Sequence, residues 1–335
     1  MEYHATDEKI LYVGRWAHED GRGSWNKDPK MTAACAGSRF YFAYRGKLCR
    51  MKFDTNLNQG PMPHLWVRVD DGARVEVPLD RYLRVDASDD GVHRVEVILK
   101  GMVEMTPRWY PPLTNKITLE CIETEELVAL PKARQKQKTI EFVGDSITEG
   151  VLIDAECTYN ANEVYNRPWQ DDVTATYAWL TAENLGLCPL MMGYGAVGVT
   201  QGGCGGVPKA ADAYPFCFDG EPVTYGHPDY VFINHGTNDW QADSVTFTAG
   251  YVALLDAIFT AHPKTQVIAM VPFKGAHRED IERLVREYND RHNEHILYVD
   301  SSQWLPADAP VHPDRGGHRL AAECLTAVLK KELDL

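Results

Sequence analysis

The chain has 335 residues, 44% of them hydrophobic and 24% charged, with a formal net charge of −14. That length calls for two domains, and the composition is that of a globular chain with enough apolar side chains for a large core. The acidic balance argues against nucleic acid as a partner, because a phosphate backbone needs a basic footprint.

The first residues, MEYHATDEKILYVG, lack the basic, apolar and small-residue order of an export signal. No apolar run approaches the ~18 residues that span a bilayer. The expectation is a cytoplasmic protein with no membrane partner. Eight cysteines are scattered from Cys35 to Cys324 and form no CxxC pair. No zinc or other metal site is suggested, and reduced, buried thiols are expected.

From residue 8 to about 130 the chain reads as short β-strands. RFYFAYRG, LCRMKFDT, HLWVRVDDG, ARVEVPLD, RYLRVDASDDG, VHRVEVILKG and NKITLECIE are rich in Val, Tyr and Phe and punctuated by Gly, Asp and Asn. Strands at that spacing predict an antiparallel sandwich. DDG at 70–72 and again at 89–91 reads as a pair of hairpin turns. PKARQKQK, 131–138, is a polar stretch with a proline and reads as a linker. The predicted division is a β-sandwich over 1–133 and a second domain over 134–335.

The second domain has a different grammar. TIEFVGDS is a buried strand and ATYAWLTAENLG a helix with a Gly stop. LCPLMMGYG and DYVFINHGTND are strands, and YVALLDAIFTAHP is a helix ended by Pro. TQVIAMVPF, REDIERLVREYNDRH, ILYVDSS and GGHRLAAECLTAVLKKEL continue the alternation. Strands alternating with helices predict an α/β fold, a parallel sheet covered on both faces. Its active site belongs at the carboxyl ends of the strands.

Chemistry-bearing residues sit at those ends. Ser146 follows the first strand in GDSITEG, where a hydroxyl is exposed and its own N–H is free at a helix start. The competing reading is a helix cap. Asn238, in NHGTND, offers an amide to a developing negative oxygen. In GYGAVGVTQGG, Gly198 (Gly195 as second choice) allows close approach of a backbone N–H. Ser146, Gly198 and Asn238 thus compose an oxyanion hole. His312, before Pro313, is the candidate base, whereas His318 at the last helix start reads as capping or packing. Asp145 and Asp239 read as acids that hold the strand-end loops. The insertion 154–177 carries Tyr165, Arg167 and Trp169, and Trp240 follows Asn238–Asp239. Aromatic faces beside polar groups suit a sugar. The bland alternative for Trp169 is a core anchor.

GDSIT, the Gly loop, GTND and HPxxxGH, in this order, resemble the four blocks of the GDSL/SGNH hydrolases over about 138–335. The resemblance implies a flavodoxin-like three-layer α/β/α fold, Ser146 as nucleophile, His312 as base, and Gly198 and Asn238 in the oxyanion hole. The β-rich front half, with phrases such as VHRVEVILKG, resembles the jelly-roll domain of the two-domain acetyl esterases of carbohydrate esterase family 2. This implies a serine esterase acting on acetylated carbohydrate, without a cofactor. One departure stands out. The family places an Asp three residues before the His, where this chain has Ala309. Either Asp308 orients His312 through a bulged loop, or the site is a Ser–His dyad; the preference is for Asp308. A homo-oligomer stays open. So do two other readings: an acyltransferase or lipase-like hydrolase, and a sugar-binding module with an inactive hydrolase domain.

Overall fold

The computed structural model describes residues 1–20, 28–130, 137–154 and 167–335. Most of the expected linker, 131–136, and the boundary between 133 and 134 lie outside the described residues, as does Tyr165.

Ten strands of the front half form one antiparallel sheet. They are β1 (Glu2–His4), β2 (Leu11–Val13), β3 (Ala17–Glu19), β4 (Lys30–Ala33), β5 (Arg39–Phe53), β6 (His64–Val69), β7 (Val75–Pro78), β8 (Tyr82–Asp86), β9 (Val92–Gly101) and β10 (Ile117–Val128). RFYFAYRG and LCRMKFDT are not two strands but one, β5. Its first half pairs with β9 and its second with β8. The turn at 70–72 does join a hairpin, β6 to β7. The turn at 89–91 does not, because β8 and β9 both pair with β5 and not with each other. Local turn chemistry specifies a reversal of the chain but not which strand is met after it.

The back half carries β11 (Thr139–Gly144), α1 (Ser146–Glu149), α2 (Tyr177–Asn184), β12 (Cys188–Gly193), α3 (Ala210–Ala213), β13 (Phe216–Phe218), β14 (Glu221–Pro222), β15 (Tyr230–Asn234), α4 (Ser244–Ala261), β16 (Gln266–Val271), α5 (Arg278–His292), β17 (Leu297–Asp300) and α6 (Arg315–Leu333). Five strands make a parallel sheet in the order β12-β11-β15-β16-β17. This is the flavodoxin-like order, and its crevice lies beyond the carboxyl ends at the reversal beside β11. Phe142, Phe232 and Met270 face the buried stripe of α2 and α6 (Tyr177, Ala178, Ala182, Ala321, Leu325). Val143, Ile233 and Ala269 face α4 and α5 through Phe247, Tyr251, Leu254, Ile281 and Leu284. The sheet is buried on both faces, which is why its strands read as unbroken apolar runs.

Helix α4 begins seven residues earlier than expected, capped by Asp243, whose side chain takes the Thr246 N–H. Against expectation, it is long and apolar enough by composition to span a membrane. Its buried side chains pack on the sheet. The seven described cysteines are free, and Cys157 lies outside the described residues.

The halves share their interior. Ala34, Cys35 and Trp109 of the front half belong to the same apolar cluster as α4. Three buried arginines cross over. Arg15 bonds Glu141 of β11 at 2.9 Å and the Tyr214 and Phe216 carbonyls; Arg39 bonds the Pro189 carbonyl at 2.8 Å; Arg108 pairs with Glu149 of α1. Guanidinium is the cation that tolerates burial best, because its planar fork satisfies several acceptors at once.

Candidate active site

Strand β11 ends at Gly144 and the chain turns at once into α1. Asp145 caps that helix by accepting the Ile147 N–H at 2.9 Å, and Gly150 closes it with φ 86°. Ser146 is therefore the first helical residue, with its side chain at the carboxyl edge of the sheet and largely buried. Its N–H has no acceptor among the described residues. Its hydroxyl meets His312 Nε2 at 2.8 Å, within the reach a base needs.

His312 comes from the loop between β17 and α6. Burial pushes its pKa below the ordinary value for histidine. Among the described residues no carboxylate counteracts that, and the expected Asp308 does not fill the place. It is exposed and makes no hydrogen bond or ion pair with His312. The Ala309 N–H donates to the Pro306 carbonyl at 3.0 Å, a tight turn that leaves Asp308 in solvent. Lys274 Nζ fastens this turn by donating to the carbonyls of Ala307 and Ala309. Pro310 limits how the following backbone can bulge. Among the described residues His312 Nδ1 has no partner, and the hydrogen bond of the ring is the one to Ser146.

The predicted oxyanion donors differ in state. Asn238, four residues past β15, donates from Nδ2 to the Val197 carbonyl at 3.0 Å and to Asp145 at 3.3 Å. The second bond is long, the one a stronger acceptor would displace. Gly198 needs correction. Its N–H is not free but donates to the Gln201 carbonyl at 3.0 Å. Glycine is required there because a Cβ would collide with the Asp239 carboxylate. Gly195, the second choice, gives its N–H to Glu149 at 2.8 Å.

Asp145 and Asp239 hold the loops. Asp239 accepts the N–H groups of Val199 (3.1 Å) and Thr200 (2.8 Å), fixing the glycine loop against the β15 end. Burial lifts the Asp145 pKa to about 7. His318 packs: its ring stacks on Tyr177, its Nδ1 accepts the Tyr177 N–H at 3.0 Å, and burial lowers its pKa to about 3.

Of the predicted substrate residues, Trp240 is 69% exposed beside Asn238. Trp169 is 46% exposed, so it is no core anchor. It lies against His64 of β6, ring centres 6.1 Å apart, and its carbonyl accepts from Lys100 of β9 at 2.8 Å. Arg167 is partly buried, its Nε without an acceptor among the described residues.

Sequence reasoning missed Arg315, Asp172 and Trp66. Arg315 bonds Asp154 at 2.5 and 2.6 Å and Asp172 at 2.9 Å, and Asp172 accepts the Trp66 indole N–H at 3.1 Å. Arg315 stands inside the HPDRGGH motif and could have been noticed. Nothing in the sequence ties Trp66, in the front half, to it.

The family model for the GDSL-like Lipase/Acylhydrolase family matches residues 142–320, just over half the chain, and the chain belongs to that family. It is 29% identical over 230 residues to cellulase/esterase CelE of Acetivibrio thermocellus, an alignment that covers 62% of this chain and 27% of that protein. The chain thus spans about a quarter of that relative's length. Among solved structures it is similar to a family two carbohydrate esterase from Cellvibrio japonicus (TM-score 0.79, 20% identity, 100% of this chain and 98% of the other). It is also similar to the acetyl xylan esterase Est2A from Butyrivibrio proteoclasticus (TM-score 0.73, 15% identity, 100% and 99%). At these identities the two likenesses establish the fold: a parallel-sheet hydrolase domain with a β-rich partner.

Proposed function

We propose that this chain is a serine esterase that removes acetyl groups from acetylated carbohydrate through an acetyl-Ser146 intermediate. The observation that carries the reading is the 2.8 Å contact between Ser146 Oγ and His312 Nε2 at the carboxyl edge of the sheet. Neutral His312 takes the Ser146 proton as the oxygen attacks the acetyl carbonyl. The tetrahedral oxyanion is held by the Ser146 N–H and the Asn238 amide. His312 then protonates the departing sugar hydroxyl. Water attacks the acetyl-enzyme by the same steps, returning acetate and free enzyme. The group requires no cofactor.

Sugar as the leaving group is supported by the esterases the chain resembles and by two exposed indoles, Trp169 and Trp240, on loops tied to the site. The contacts of Trp169 with His64 and Lys100 of the front half support a place for that half at the substrate rim. Hydrolysis of 4-nitrophenyl acetate over the octanoate, abolished in Ser146→Ala at unchanged melting temperature, is the expected result. A reversed chain-length preference would favour a lipase-like hydrolase. Sugar binding without turnover would favour a binding module.

A further inference from the structure

Among the described residues His312 has no carboxylate partner, so its imidazole is fixed in another way. Here Asp172 touches the end of the Ser146 helix, the segment after His312 and the front sheet. Its backbone N–H donates to the Gly150 carbonyl at 3.0 Å, at the end of the helix that begins with Ser146. That packing is close enough that a Cβ on Gly150 would lie 2.6 Å from the Asp172 carbonyl oxygen. Its carboxylate, 1% exposed, accepts from Arg315 at 2.9 Å through Oδ2. Its Oδ1 accepts from Trp66 Nε1 at 3.1 Å, and from the N–H and hydroxyl of Thr174 at 3.0 and 2.7 Å. Arg315 stands three residues beyond His312 and also grips Asp154, four residues past Gly150, through two further bonds.

We propose that Asp172 and Arg315 are positioning residues. They clamp the His312 loop to the Ser146 helix in place of an orienting carboxylate, which the described residues do not supply, and Trp66 of the front sheet steadies the clamp. The nucleophile and the base lie 166 residues apart in the chain, and this clamp links their segments through the Arg315–Asp172 side-chain bond and the Asp172 N–H to Gly150. Planar guanidinium suits the task because two carboxylates fix both its position and its tilt. The front half then acts on the rate of the chemical step and not only on substrate capture. Lys274 holds the far side of the same loop by the Ala307 and Ala309 carbonyls, so loss of the clamp tilts the loop without unfolding it.

This inference rests on the Ser146–His312 esterase reading. It is tested on the full chain with Arg315→Gln, Arg315→Lys, Trp66→Phe and the Arg315→Gln/Trp66→Phe double variant. The readouts are kcat and KM on 4-nitrophenyl acetate, the rate of Ser146 phosphonylation by a fluorophosphonate, and the melting temperature. Misplacing a catalytic group by ~1 Å costs up to about 100-fold, so Arg315→Gln is expected to lower kcat about 10- to 100-fold with little change in KM. Phosphonylation slows in parallel, and Arg315→Lys recovers part of both. Trp66→Phe gives a smaller fall in kcat, and the double variant is no slower than Arg315→Gln, because both act along one path. A kcat and a phosphonylation rate within twofold of wild type in Arg315→Gln overturn the proposal. So does a change confined to melting temperature or KM. Wild-type protein that neither hydrolyses acetate esters nor reacts with the fluorophosphonate would overturn the esterase reading itself and this proposal with it.

Discussion

Asp308→Ala separates a dyad from a triad. Removing the orienting carboxylate of a serine triad drops kcat about 10⁴-fold, near 5.4 kcal/mol at about 1.36 kcal/mol per tenfold. The structure predicts far less here. Asp308 is exposed, unpaired with His312, and set in the 306–309 turn that Lys274 holds by backbone carbonyls. Its only route to the imidazole is a Coulomb interaction through solvent. Two unit charges as close as 4 Å in water gain only about 1 kcal/mol, and salt screens them further. That ceiling corresponds to about fivefold in rate. The alanine leaves the Lys274 contacts in place, since they are to main-chain oxygens. Steady-state kcat on 4-nitrophenyl acetate, at 0.15 M salt with the melting temperature checked, is the assay. A loss of about 100-fold or more in a normally folded variant would refute the argument and restore Asp308 as the orienting acid.

The same geometry sets the pH dependence. Only neutral His312 can take the Ser146 proton, and burial holds its pKa below the usual ~6.5. The kcat/KM profile should therefore stay flat through neutrality and fall only below pH 6.5; an acid midpoint at or above 7 would mean that a carboxylate raises it. His318 and His235 are held to about 3 and about 4 by burial. At these two histidines the unfolded chain binds more protons between those values and ~6.5, which destabilises the fold as pH drops, whereas Asp145 and Glu104, raised to about 7 by burial, bind more protons in the folded chain and oppose that loss. Circular dichroism at each pH keeps the two effects apart. Arg15→Met leaves Glu141 buried without its cation, and breaking such a pair typically costs about 3–5 kcal/mol. Adding Glu141→Gln removes the stranded charge, its oxygen accepting from one of the Tyr214 and Tyr225 hydroxyls and its NH2 donating to the oxygen of the other, so the double variant should regain most of the loss in denaturant unfolding. A single variant within about 1 kcal/mol of wild type would show that the crossing arginine matters little.

The alternation of buried strands and helices after residue 138 is a local property, and the parallel sheet could be read from it residue by residue. Ser146, Asn238 and His312 could be picked out as candidates, because each sits in a short motif beyond a strand and the sheet topology brings strand ends together; the contact of Ser146 with His312 is what the structure adds. What the motifs carry is residue type and order. They do not carry hydrogen-bond partners, and that is where the reading failed. Gly198 is glycine because Asp239 crowds it, Asp308 faces water because a turn and Lys274 send it there, and β5 is one strand because its two halves find different neighbours. Arg15, Arg39 and Arg108 look like surface charges in sequence and are buried only because the front half closes over the hydrolase sheet. The link from Trp66 through Asp172 to Arg315 joins residues up to 249 positions apart. Contacts across such separations depend on how two sheets dock, and no local pattern encodes that docking.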